Sequence, residues 1–258
     1  MLLKVDHFDR LASMIRNLTS QSMFTCLAKY CVGHVLDLGG AWFYRYVKNK
    51  SLNFTSWTSL DIDEQKLRWE GDPKHRVIVG DGCNLPLPSE SVDTVLNIQV
   101  LEHVMEPLKM VSEIGRVLKY NGHAILLIPQ TACVHQIPCV YYNFTYYFIE
   151  EALKSTRLKM VEYHALGGSW RTILFRHVCI LLQASRIPGY SCKKTNTRNL
   201  AFYVLFPLMV AYIVISMPLL MLFSLGDLIE EPNNHLVVVR KVPKETQPET
   251  QSSQTIGI

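Results

Sequence analysis

GDGCNLPLPSESVDTVLNIQVLEHV, residues 80–104, decides the fold. It opens on a Gly-Asp-Gly turn, runs through a loop holding Pro86 and Pro88, enters the strand-like run Val92–Ile98, and stops at Gln99. A short run rich in Val, Leu and Ile between turn residues is the mark of a buried strand. Upstream lie three more such runs, Val35–Leu38, Trp57–Ile62 and Arg76–Val79. Downstream, Pro107–Leu118 has helical spacing, with Leu108, Val111, Ile114, Val117 and Leu118 on one face, and it ends at Asn121-Gly122. His123–Ile128 then reads as a fifth strand, closed by Pro129. Strands alternating with helices predict an α/β fold with a doubly wound, mostly parallel sheet.

The flanks read differently. Residues 8–30 have helical spacing, Phe144–Thr156 reads as helix and Lys159–His164 as strand. Trp170–Leu182 is apolar apart from Arg171, Arg176 and His177. Leu200–Leu225 then runs for 26 residues without a charge, and HLVVVRK at 235–241 is a strand signal. The reading is an N-terminal helical region (1–32), a core (33–168), an apolar helical insert (169–232), a last strand (233–243) and a disordered tail (244–258).

Composition narrows the classes. The 258 residues are 48% hydrophobic and 19% charged, which excludes wholesale disorder. A net charge of +4 with no concentrated basic stretch gives no reason to expect nucleic acid. The seven cysteines form no CxxC pair and no spacing with histidine that suits a metal, so reduced thiols and no metal site are expected. Residues 1–10 hold Lys4, Asp6, Asp9 and Arg10 and lack the apolar stretch of a signal peptide. A cytoplasmic chain is the expectation, and the Asn-x-Thr triplets at Asn17, Asn53 and Asn143 read as chance.

In a doubly wound fold, ligands bind beyond the carboxyl ends of the strands. VLDLGGAWFY (35–44) follows the first, with Asp37 two residues before Gly39; SLDID places Asp61 after the second, 24 residues on. A carboxylate at Asp61 suits the paired hydroxyls of a ribose. After the third strand Asp81 is an acceptor for an exocyclic amine, and Gly82 lets backbone approach a ring.

These elements, together with EIGRVLKYNGHAILLIP and YNFTYYFIEEAL, resemble the class I S-adenosylmethionine-dependent methyltransferases, of the group related to ubiquinone and menaquinone biosynthesis (methyltransferase type 11). The likeness covers roughly residues 33–165, and HLVVVRK resembles the antiparallel last strand of that Rossmann-like fold. It implies S-adenosylmethionine as cofactor. By position, Asp37 and the Gly39, Gly40 and Ala41 backbone would face its amino-acid end, and Asp61 its ribose. Ile62 would pack on the adenine, Asp81 would accept from the adenine amine near the Gly82 and Cys83 backbone, and Asn97, Ile98 and Gln99 would floor the methionine portion. The loop departs from Gly-x-Gly-x-Gly: Ala41 and Phe43 stand at the second and third glycine positions. A pyrophosphate-binding nicotinamide site needs those glycines, whereas a cofactor without phosphate tolerates the change better.

Methyl transfer is in-line displacement at a carbon that the cofactor has already activated, so a general base depends on the acceptor. Candidate catalytic groups are His103 in LEHV, and His135 with the Tyr141–Tyr142 pair in the segment after the fifth strand. A capping histidine and an aromatic packing cluster are the competing structural readings. The apolar run is long enough to span a bilayer. A single crossing, however, would leave HLVVVRK on the far side of the membrane from the rest of the sheet. Pro207 and Pro218 suggest two short helices lying at the membrane surface instead. Bacterial relatives with polysaccharide or lipid substrates resemble this chain in carrying an apolar insert there. The expectation is therefore a transferase acting on oxygen of a small-molecule or lipid-linked acceptor, peripheral to the inner face of the cell membrane. A buried cap or homodimer contact, a non-catalytic binding protein of the same fold, and an integral membrane protein with a nucleotide-sensing head are the alternatives.

Overall fold

The computed structural model describes residues 21–40, 43–69, 71–136, 138–186 and 198–243. Ala41, most of the expected N-terminal helix and the tail beyond 243 lie outside them. Residues 21–30 form α1, followed by β1 (Val32–Leu38), α2 (Phe43–Val47), β2 (Asn53–Asp61), β3 (His75–Val79), β4 (Val92–Ile98), α3 (Pro107–Val117) and β5 (Leu118–Pro129). Then come α4 (Tyr146–Lys154), β6 (Leu158–Leu166), α5 (Ser169–Ala184), α6 (Leu200–Phe223) and β7 (Asn234–Lys241).

The seven strands make one sheet in the order β3-β2-β1-β4-β5-β7-β6. β1, β2, β3, β4 and β5 are parallel, and β7 is antiparallel to both β5 and β6. The central strands bury both faces: on β4, Val92, Thr94, Val95, Leu96 and Asn97 are all buried. Leu36, Leu38, Val95 and Leu126 point into a core shared with Val111 and Ile114 of α3 and Ile149 of α4. On the opposite face Val35, Leu96 and Ile125 meet Cys26 and Leu27 of α1, Tyr44 of α2, and Trp57.

Two expectations need correction. Leu108 of α3 is 54% exposed, while Met110 takes its place in the buried stripe. Pro107 stands in the first helical turn, so the buried face runs 107, 110, 111, 114 and 117. The helix also ends at Val117, before Asn121-Gly122, because β5 starts directly at Leu118.

Pro207 and Pro218 do not break Leu200–Phe223 into two helices; both lie inside one continuous α6. Each removes one backbone donor, and the apolar helix on either side carries the chain past it. At 24 residues α6 is about 36 Å long. It packs antiparallel to α5: Trp170 meets Phe223 at 4.9 Å between ring centroids, His177 meets Tyr212 at 5.5 Å, and Arg198 donates to the Gln183 carbonyl at 2.8 Å. Only Ile213 and Leu220, seven residues apart, are buried on α6.

The feet of this hairpin are clamped. Asp227 accepts from the Trp170 and Arg171 amides at 2.8 and 3.2 Å, capping α5, and Ser169 N donates to Leu228 O. Asn234 pairs with Pro129 on one side and Leu166 on the other. The hairpin therefore leaves and rejoins the sheet at the carboxyl ends of the parallel strands.

Candidate active site at the carboxyl edge of the sheet

Those carboxyl ends collect the residues singled out in the sequence. Asp37 closes β1 with its side chain fully buried. Its Oδ2 accepts from the Trp57 indole at 3.2 Å, while Oδ1 has no hydrogen-bond partner. Burial pushes this carboxyl from an ordinary 3.8 up to about 8, with the indole N–H pulling the other way. Gly39 has φ of +64°, a backbone state that glycine adopts without strain, and its N–H donates to Leu60 O at 2.7 Å. A Cβ on Gly40 would lie 1.9 Å from Asp37 Oδ2, so the turn is folded directly over the carboxylate.

Asp61 closes β2 and is mostly buried; its Oδ1 accepts from Asp63 N at 2.9 Å. Ile62 beside it is 72% exposed, an open apolar surface next to that carboxylate. Beyond β3, Asp81 Oδ1 accepts from Cys83 N at 2.8 Å, which fixes the turn. The Cys83 side chain is buried with its thiol on the Glu106 carbonyl, so only its backbone serves the rim. Asn97 and Gln99 end β4: Asn97 is buried with Nδ2 on the Met110 sulfur at 3.2 Å and Oδ1 unpartnered. Gln99 has φ of +57° and donates to Asn234 at 2.6 Å, tying Ile98 and its neighbours to the foot of β7.

The segment after β5 closes the far side. Tyr141 and Tyr142 donate their backbone N–H to the Glu102 carbonyl, and Tyr142 Oη donates to Met105 O at 3.2 Å. His103 and His135, 32 residues apart, come together with ring centroids 5.0 Å apart. His103 Nδ1 bonds the Cys139 carbonyl and His135 Nδ1 the Cys133 carbonyl. Burial holds His103 below its ordinary range. Three neighbours escaped the sequence reading. Trp57 reads only as the start of a strand and Met110 lies off the apolar face expected of its helix, while Glu102, printed in LEHV beside His103, turns inward with both oxygens unpartnered and is pushed up to about 7 by burial.

Unpartnered buried acceptors at Asp37 and Asn97 are what a ligand carrying ammonium and other donors would satisfy, and Asp61 Oδ2 has no hydrogen bond among the described residues. The residues present thus fit S-adenosylmethionine.

Comparison with known proteins agrees. Residues 36–126 match the family described as a methyltransferase domain. A protein of Mycobacterium tuberculosis named as a probable S-adenosylmethionine-dependent methyltransferase is 39% identical over 57 residues, 22% of this chain and 21% of that one. A similarly named protein of Mycolicibacterium smegmatis is 40% identical over 72 residues, 27% of this chain and 28% of that one. The matched stretches thus span less than a third of those relatives. A Haloferax volcanii protein solved in complex with the Trm112 methyltransferase activator shares the fold over 91% of this chain and 95% of its own, with 16% identity and a TM-score of 0.56. Over residues 36–126, from β1 into β5, the chain is similar to a methyltransferase domain, and its sheet has the fold of solved methyltransferases.

Proposed function

We propose that this chain transfers a methyl group from S-adenosylmethionine to an oxygen of an acceptor held at a membrane surface. The observation that carries the transfer is the set of carboxylates at the ends of β1, β2 and β3, with buried oxygens of Asp37 and Asn97 left without donors. When bound, the cofactor supplies an activated methyl on a sulfonium. Asp61 grips the ribose hydroxyls, Asp81 accepts from the adenine amine, and Asp37 faces the ammonium. Gln99 and Asn234 hold the end of β4 still, and the 130–145 segment, bonded to Glu102 and His103, excludes water from the reacting oxygen.

The membrane part rests on α6. Among the described residues it is the one helix long and apolar enough to cross a bilayer, and only Ile213 and Leu220 of it are buried. A helix apolar on every side and left uncovered suits lipid better than an aqueous face. Because β7 returns into the sheet, both feet of the hairpin stay on the same side as the sheet, which this reading sets in the cytoplasm. Arg186 and Arg198 sit at its tip, where a flat-lying hairpin sets them among headgroups. The acceptor is then a lipid-linked compound, delivered to a site at the hairpin's own base.

Calorimetric titration with S-adenosylhomocysteine tests the cofactor reading. Asp61→Ala should weaken binding about 100-fold or more, the worth of two hydrogen bonds to a charged acceptor. Unchanged affinity, or no heat from the unaltered chain at millimolar ligand, would leave a fold that has lost its activity.

A further inference from the structure

We infer that Glu102, His103 and His135 bind a divalent transition-metal ion at the acceptor side of the site. One ligand atom from each residue lies within 4.8 Å of the other two, and His103 Nε2 stands 3.8 Å from Glu102 Oε1.

The chemistry of the free atoms carries the inference. A carbonyl only accepts, so the bonds to Cys139 O and Cys133 O fix Nδ1 of both imidazoles as the donor. In the neutral rings, Nε2 of each is then a bare lone pair. Glu102 is completely buried, and neither of its oxygens has a hydrogen-bond partner; nor has His103 Nε2. Three acceptor groups thus converge, with no donor among the described residues other than a proton carried by one of them. A cation in place of that proton would engage all three. Backbone carbonyls that orient the outer nitrogen of each imidazole are also the usual outer support of metal-bound histidine.

Two imidazoles and one carboxylate favour zinc, cobalt, manganese or iron over magnesium, which prefers oxygen. Donors around one ion with bonds near 2.1 Å sit roughly 3–3.4 Å apart, so closing a 4.8 Å separation requires about 1.5 Å of movement. His135, on a half-exposed loop, has the freedom to make it. Three protein ligands leave positions open, and the hydroxyl oxygen of an acceptor is the group that fits there. A metal-bound hydroxyl is more acidic, which removes the need for a separate strong base. This role rests on the proposed methyl transfer; the binding itself does not.

The test uses the full chain, stripped with a chelator and dialysed, with no cofactor present. Co²⁺ is titrated by visible absorption and Zn²⁺ by calorimetry. One equivalent should bind, Glu102→Gln and His135→Ala should each weaken it by at least about tenfold, and His135→Asp, which restores a ligand atom, should recover much of the loss. Cys26→Ser, in a separate Cys26, Glu162 and His164 group, should leave the Co²⁺ spectrum unchanged. Near-ultraviolet circular dichroism checks that each variant is folded. No saturable binding, or equal affinity in His135→Ala and the unaltered chain, overturns the inference. S-adenosylhomocysteine titration of the same metal-free protein reports on the cofactor site separately, so the two failures are told apart.

Discussion

Asp37→Asn should make the free protein more stable while making it a worse binder. Asp37 is buried against Trp57 with one oxygen unpartnered, and its carboxyl is raised from 3.8 to about 8. A carboxyl raised in the folded state takes stability away as pH climbs from its ordinary value toward the folded one. At pH 7 the folded chain holds a proton that the unfolded chain has released, at a cost of about 4 kcal/mol; at pH 5 the cost is about 2 kcal/mol. Asparagine has nearly the same shape, can still accept from the Trp57 indole, and never ionises. Its amide adds an unpartnered donor, offsetting about 1 kcal/mol. The net gain at pH 7 is then about 3 kcal/mol, or about 6–12 °C in Tm for a chain of this size. Thermal melts of both proteins at pH 5, 6, 7 and 8 read the difference directly, and it should widen with pH. The same substitution should weaken S-adenosylhomocysteine binding about 10- to 100-fold, because asparagine cannot give up a proton and ionise against the arriving ammonium as Asp37 can. Equal stability of the two proteins across that range would refute the reasoning, for it would mean that Asp37 is not held neutral.

Gly40→Ala places a methyl 1.9 Å from the Asp37 carboxylate and should lower stability by about 2 kcal/mol or more, seen in urea unfolding at pH 7. Asp227→Ala removes the cap on α5 and should cost about 1 kcal/mol, with amide hydrogen exchange rising first at Trp170 and Arg171. Leu208→Glu with Ile215→Glu alters two exposed positions on one side of α6, so cosedimentation with anionic phospholipid vesicles should be lost while the melting temperature holds. Undiminished cosedimentation would remove α6 from the membrane contact.

The strands were legible because β1, β4 and β5 are buried on both faces and so print as short runs rich in Val, Leu and Ile; Val92–Ile98 has the same bounds in the structure as in the sequence. The strand-end positions of Asp37, Asp61 and Asp81 were legible for a related reason: the first two stand in the last residues of such runs, and Asp81 stands two residues past β3. What the chain hides is what depends on distant partners. Nothing near Glu102 announces that it turns inward, or that His135 arrives beside His103 from 32 residues away. Leu108 and Met110 are both apolar, and only the angle at which Pro107 starts α3 decides which one the sheet covers. The two prolines of α6 misled because breaking strength was read residue by residue, while the helix around them is apolar from end to end.

The position of β7 between β5 and β6 reaches back to biosynthesis. Its partners His123–Pro129 leave the ribosome more than a hundred residues before Asn234–Arg240 arrives to join them. Until then β5 lacks a neighbour on one flank, and the greasy α5–α6 arm is already out with no completed domain to anchor its second foot. A nascent chain in that condition has a long wait with sticky surface showing. Early contact between the arm and lipid, or a chaperone's grip on it, would shelter the chain until its last ribbon slides home.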